Sequence, residues 1–215
     1  MKIFIFIIFT SLLQSQDCNK WQGNNDTYKG LQRRIAKTTA LDIPLSKSFN
    51  NILELKSTLI PDKEAKKIIP KKRDACDYDR FDIEKRNVEV KNVYIFFYKY
   101  ENSAEGDNDF HLIVGNDTNN KETLFNMEIS ALTLEPQTEN YKALSKVRNQ
   151  WKQLIDTAQV VKSYSYYKFV YPIKVNIYGS LFFDTDHNAG VVGPGKNKPT
   201  SAWEIHPVID FEVVR

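Results

Sequence analysis

Three short stretches hold the histidines of this chain, and each sets its histidine near a carboxylate in an otherwise apolar context. They read "DNDFHL" (107–112), "FFDTDH" (182–187) and "WEIHPV" (203–208). Alternate side chains of a strand share a face, so Asp109 and His111 point the same way, as do Glu204 and His206. Neutral imidazole with carboxylate is a ligand set for zinc or another divalent transition metal. In that reading His111, His187 and His206 hold the ion, and Asp109 or Glu204 completes the shell or acts as base. The same residue types suit a general base with its orienting acid. They equally suit hydrogen bonds that tie strands together or cap the loop after His187, or contact with a ligand without catalysis. Neither H-E-x-x-H nor C-x-x-C occurs, so spacing alone leaves these alternatives open.

The three stretches resemble motifs of a group of uncharacterised secreted bacterial proteins. Those motifs read D-G-D-Y-H-L, F-F-D-x-x-H, and I-E-L-H-P-V or W-E-I-H-P-V. In this chain they become Asp107 through Leu112, then Phe182, Phe183, Asp184 and His187, then Trp203 through Val208. Asn108 stands where the group has glycine, a departure that bears on the tightness of that turn. The resemblance spans residues 88–214 and leaves 17–87 uncovered. It implies export and the positions of the site residues, and it implies no reaction.

One motif is a decoy. "GVVGPGK" (190–196) fits G-x-x-x-x-G-K, but Asn197 follows where a phosphate loop needs Ser or Thr. The run also precedes a strand rather than a helix whose N-terminus could hold phosphate, and Pro194 removes a donor. It reads as a plain loop. No nucleophile-elbow pattern surrounds Ser180 or Ser201.

The residues that could do chemistry need strands to hold them. "VEVKNVYIFFYKYE" (88–101) is β-branched and aromatic, apolar on both faces from Val93 to Phe97, and predicts a long central or coiled strand. Turn residues 103–109 and 117–122 separate it from strands over 109–116 and 123–130. Residues 137–159 predict a helix. Tyr141, Leu144, Val147, Trp151, Leu154 and Ala158 recur at steps of three and four, and Thr138 can cap the start. Strands follow over 171–184 and 202–214. Gly179 in the first suggests a bulge or bend, and Pro207 in the second belongs at an edge or bulge because it cannot donate to a ladder. Three strands, one long helix and two strands predict a mainly β fold of the OB-like antiparallel barrel kind, with a β-sandwich as the alternative. That domain covers 88–215.

Upstream, 17–87 is polar and reads as an extension, with a short helix within 48–60 ended by Pro61. The first residues, "MKIFIFIIFTSLLQSQDC", carry Lys2 and then an apolar run over 3–13. That length fits a signal peptide over 1–16 and is too short to span a bilayer. A buried N-terminal strand or helix is the other reading. Export implies a secreted or periplasmic location, where Cys18 and Cys76, the only cysteines, suit a disulfide; two separate thiols are the alternative. Gln16 and Asp17 precede Cys18 where a lipoprotein signal places small residues, which argues against a lipid anchor. No later run approaches a transmembrane length. The formal charge of +3 is too small to signal nucleic-acid binding. The ligand stays unknown, and the function reads as a binding or structural module, with a phosphodiesterase-like, metal-dependent hydrolase as the rival.

Overall fold

The structure is a computed structural model that describes residues 33–69, 80–102, 107–133 and 138–214. The signal peptide expected over 1–16 and both cysteines of the expected disulfide, Cys18 and Cys76, lie outside the described residues.

The fold is mainly β. One sheet contains β1 (Leu45–Phe49), β2 (Asn87–Tyr100), β3 (Phe110–Gly115), β4 (Leu124–Ile129), β5 (Val160–Ser163), β6 (Tyr166–Phe183) and β7 (Trp203–Val213). The helices are α1 (Arg34–Thr38), α2 (Ile52–Lys56), α3 (Asp62–Ile68) and α4 (Glu139–Thr157). Strand order is β1-β2-β3-β4-β7-β6-β5, and β2 also pairs with β6. The pairings β2–β3, β3–β4, β4–β7, β7–β6 and β6–β2 therefore follow one another in a ring. Only β4–β7 within that ring is parallel.

β2 is long enough to pair with β1 near its start, with β3 near its end and with β6 along most of its length, and both of its faces are buried. Val93 and Ile95 join the main core with Leu112, Val114, Phe125, Met127, Leu181 and Phe183. Phe96 and Phe97 join a smaller cluster on the other face with Ile113, Leu124 and Tyr166. The long helix starts where expected: the Thr138 hydroxyl accepts from the Tyr141 N–H at 3.1 Å. Its stripe lowers Trp151 into the core, edge-on to Tyr98, Phe110, Phe169 and Phe211.

The expected irregularities in β6 and β7 coincide. The register shifts on both sides of Gly179, which pairs with Val208, while Leu181 pairs with Ile205. His206 and Pro207 thus oppose the single residue Ser180, a bulge at the proline. A Cβ on Gly179 would stand 2.4 Å from both Ile205 Cγ2 and the Pro207 carbonyl oxygen, so only glycine lets the strands close here. The bulges also break the apolar alternation of Trp203, Ile205, Pro207, Ile209, Phe211 and Val213 along β7. Val208 and Phe211 take the core positions, and Val213 is exposed.

Two parts differ from the sequence expectation. Within 45–69 the chain forms β1, parallel to β2, before α2, and Pro61 begins α3. Residues 160–170 add a hairpin of β5 with an earlier start to β6. Val161, Tyr164, Tyr167 and Val170 are exposed there, so the alternation that marks a half-buried strand is absent. Among the described residues no helix is long and apolar enough to cross a membrane.

Candidate functional site

The ring has one apolar core face, and the chemistry sits on the other. On β4, Phe125, Met127 and Ile129 point into the main core. Asn126 and Glu128 alternate with them and so face outward. Register carries this face across three strands: His111 lies opposite Glu128, and Asn126 opposite Glu204. His206 follows Glu204 by two residues and shares its side. The result is a row of polar side chains on the outer surface of β3, β4 and β7.

That surface is nevertheless buried. Asp109, Glu128, Glu204 and His206 are each at most 2% exposed, and His111 is 7% exposed. Arg80 spans the area above, donating to the carbonyls of Ala36, Leu181 and His206. Lys37 of α1 reaches Asp107 Oδ2 at 3.3 Å. Phe182 packs against the His206 ring at 5.6 Å between centroids.

Glu128 is the centre. Its Oε1 stands 3.0 Å from His111 Nδ1, and its Oε2 stands 3.1 Å from His206 Nδ1. His206 Nδ1 also meets Glu204 Oε1 at 3.1 Å, while its Nε2 meets Asp109 Oδ2 at 3.1 Å. Asn126 donates to Glu128 at 2.8 Å and to Glu204 at 2.7 Å, which holds the two acids side by side. Asp109 is fixed from behind by the Ala131 N–H.

The charges respond to this crowding. Burial and the neighbouring Glu128 push Glu204 up to about 7. Burial and the Asp107 charge raise Asp109. Burial works against both imidazolium forms, yet Glu128 with Asp107 brings His111 to about 9. Glu128 with Asp109 and Glu204 raises His206 as well. Asp107 goes the opposite way: despite burial, Lys37 and His111 hold its carboxyl well below the usual range. Protons thus supply the positive charge that this nest of acids demands.

Of the three histidines, His111 and His206 meet through Glu128. His187 does not join them. Its Nδ1 pairs with Asp184, three residues earlier, and Asp184 also accepts the Asp186 and His187 N–H groups. The hydrogen bond that His187 gives to Asp184, only partly opposed by burial, raises His187. His187 does share with His111 the wall of a cavity of about 380 Å³, together with Asp107, Lys99, Tyr166 and Val192. Two combinations of ligand atoms lie within 4.8 Å of one another: Asp107, His111 and Glu128, and Asp109, Glu128 and His206. Glu204 lines a separate narrow crevice with Asn126, Asp184 and His187.

Asp107, Asn126 and Glu128 complete the cluster beyond the residues singled out from histidine-bearing stretches. The signal for the last two was present in "TLFNMEIS" (123–130): polar residues two apart, opposite an unbroken apolar set. The decoy run 190–196 is a loop with positive φ at Gly190, Gly193 and Gly195, and Val191 to Gly193 help to wall the cavity. Comparison with family models, with curated proteins and with solved structures finds no match.

Proposed function

We propose that this chain is an exported binding module on an OB-like barrel, and that its outer-face cluster binds a divalent transition metal, zinc being the first candidate. The ring of five strand pairings, with α4 placed between its third and fourth strands in chain order, supports the OB-like reading over two stacked sheets. The apolar run at 3–13 and the resemblance to secreted bacterial proteins support export, and a Cys18–Cys76 disulfide suits that location.

One observation carries the metal reading. Asp109, Glu128 and His206 offer ligand atoms within 4.8 Å of one another with all three side chains buried. Buried charges persist when they are paired or coordinate metal. Here Asp109 Oδ2, Glu128 Oε2 and His206 Nε2 are sealed from solvent without a well-formed hydrogen bond. Imidazole nitrogen with carboxylate oxygens fits zinc or manganese and fits calcium poorly.

The test is zinc uptake by the purified full chain, counted by elemental analysis after dialysis. Stoichiometric zinc, reduced in His206→Gln while the far-ultraviolet circular dichroism is unchanged, supports the reading. A chain that takes up neither zinc nor manganese overturns it and leaves a hydrogen-bonded structural cluster.

A second reading, a metal-dependent hydrolase of the phosphodiesterase kind, is favoured by the cavity that opens against Asp107 and His111. A phosphodiester there would be attacked by water at phosphorus, with cleavage of one ester P–O bond and transfer of a water proton to a carboxylate. Glu204, raised to about 7, lines not that cavity but the crevice that shares His187 and Val192 with it, so it accepts the proton near neutral pH from a substrate that spans both and returns it to the leaving oxygen. Asp109 is held by His206 and the Ala131 N–H, away from the cavity wall. Hydrolysis of bis(p-nitrophenyl) phosphate by the zinc-loaded chain, absent in Glu204→Gln, is the discriminating assay.

A further inference from the structure

We infer that the cluster is a two-ion centre bridged by Glu128, with one ion sealed inside the fold and the other open to the cavity. This rests on the metal-binding reading above and specifies the number of ions and their access.

The two oxygens of Glu128 serve different histidines. Oε1 faces His111 Nδ1 at 3.0 Å and Oε2 faces His206 Nδ1 at 3.1 Å. A bridging carboxylate gives one oxygen to each of two ions, and this is the division the side chain already makes. Each side brings an acid of its own. Asp107 completes the trio with His111, and Asp109 completes the trio with His206. Ligand atoms bound to one zinc at about 2.0–2.2 Å stand roughly 3–4 Å from each other. The 4.8 Å limit met in both trios lies within reach of that spacing after small side-chain adjustments.

Polar atoms without a hydrogen bond occur on both sides of the bridge. His206 Nε2 and Asp109 Oδ2 face each other on one side. On the other, His111 Nε2 finds its nearest ion-pair partner, Asp107 Oδ1, only at 3.9 Å, and neither atom makes a hydrogen bond. His111 is more than nine-tenths buried and lines the cavity. A single ion in the His206 trio would leave that second set unsatisfied.

Access separates the two positions. His206 and Asp109 are fully buried and line neither the cavity of about 380 Å³ nor the crevice at Glu204. Asp107 and His111 form part of the wall of the cavity of about 380 Å³. Closed protein coordination marks structural ions, and an open position marks ions that exchange ligands. Paired ions with one open face suit hydrolytic chemistry at phosphorus or carbonyl centres. The His206 ion therefore knits β3, β4 and β7, and the His111 ion meets whatever enters the cavity.

The experiment uses the full chain, stripped with chelator and reloaded with zinc. Elemental analysis is expected to count two zinc ions per chain. Release to a colorimetric chelator is expected in two phases, fast from the cavity side and slow from the sealed side. Asp107→Asn changes a side chain at the cavity wall and is expected to weaken the fast ion about tenfold or more while the slow phase remains. Glu128→Gln is expected to weaken both, and should it fail to fold, Asp107→Asn still decides. One zinc per chain released in a single phase overturns the two-ion centre and leaves the single-ion reading standing. No zinc at all overturns both. Two ions with Asp107→Asn unchanged in both phases overturns the assignment of the open ion.

Discussion

His206 of β7 and Asp109, the residue just before β3, meet Nε2 to Oδ2 at 3.1 Å with both side chains fully buried, although β3 and β7 are not neighbours. β4 lies between β3 and β7 in the sheet. The pair therefore bridges the outer face above β4, and Glu128 on that strand supplies the contact to the other histidine nitrogen. Side chains on β4, on β7 and at the entry to β3 are locked by one imidazole, so this cluster bears on stability as well as on the proposed metal binding.

Removing the acid from that pair exposes the imbalance. In Asp109→Ala the Ala131 N–H loses its acceptor and His206 loses one of its carboxylates. Breaking a buried pair from one side costs about 3–5 kcal/mol. Asp109→Asn keeps an oxygen for the Ala131 N–H and is expected to lose less, about 1–3 kcal/mol. Urea unfolding in the presence of chelator measures both. Equal losses in the two variants would show that the oxygen held by the Ala131 N–H contributes nothing and that the whole loss comes from the charge.

The metal-free chain is expected to lose stability as pH rises. His111 holds its proton to about 9 and Glu204 to about 7, each above its unfolded value. The stability they carry is complete below those unfolded values. It fades as pH climbs, first through the Glu204 value and then through the His111 value. Thermal melts in chelator are expected to fall from about pH 6 to about pH 9. Zinc replaces the departing protons, so melts with zinc are expected to stay level over the same range, and zinc affinity is expected to rise with pH. A metal-free melting temperature that rises across this range would contradict the charge assignment.

The closure of β6 on β7 depends on a missing side chain. Gly179→Ala places a methyl 2.4 Å from Ile205 Cγ2 and from the Pro207 carbonyl oxygen, and the oxygen belongs to backbone that cannot swing aside. Overpacking of this kind costs about 1–3 kcal/mol. Gly190→Ala is the comparison: it meets nothing within 4 Å and carries only the strain of φ +75°. Chemical unfolding of the two variants is expected to rank Gly179→Ala as the worse. The Gly179 variant is also expected to weaken zinc binding, because His206 lies in the bulge that would shift.

The sequence made the strands legible where one face was clean. β3, β4, β7 and the helix stripe through Trp151 all show apolar residues at a regular period against polar ones. The hairpin over 160–170 escaped because its outward positions are Val161, Tyr164, Tyr167 and Val170 rather than polar residues. Asp109, His111, Glu204 and His206 could be placed on strand faces, since alternation is local. Their meeting could not be read, because it depends on which strands adjoin and in what register. His111 faces Glu128 only because β3 pairs with β4 as it does. His187 shows the limit most clearly. It lies beyond the end of β6 in a loop, where no period governs direction, and its partner is Asp184 rather than the other histidines.

Trp151 is the point where the helix closes the core, and its removal is expected to cost as much as breaking the buried Asp109 pair. It is fully buried and makes edge contacts with Tyr98, Phe110, Phe169 and Phe211, which come from β2, β3, β6 and β7. Trp151→Ala removes the side chain that all four share, and large-to-small changes of this kind cost about 3–5 kcal/mol. Its indole N–H has no hydrogen-bond partner among the described residues. Trp151→Phe discards that donor while keeping an aromatic ring, so its loss is expected to be well below that of the alanine variant. The helix reaches the outer-face cluster indirectly, for instance through Arg148, which donates to the Asn108 carbonyl at 2.8 Å beside Asp109. Zinc binding by Trp151→Phe is therefore expected to match the parent chain while its unfolding midpoint falls. Equal midpoints for Trp151→Phe and Trp151→Ala would show that the ring contacts do not hold the helix to the sheet.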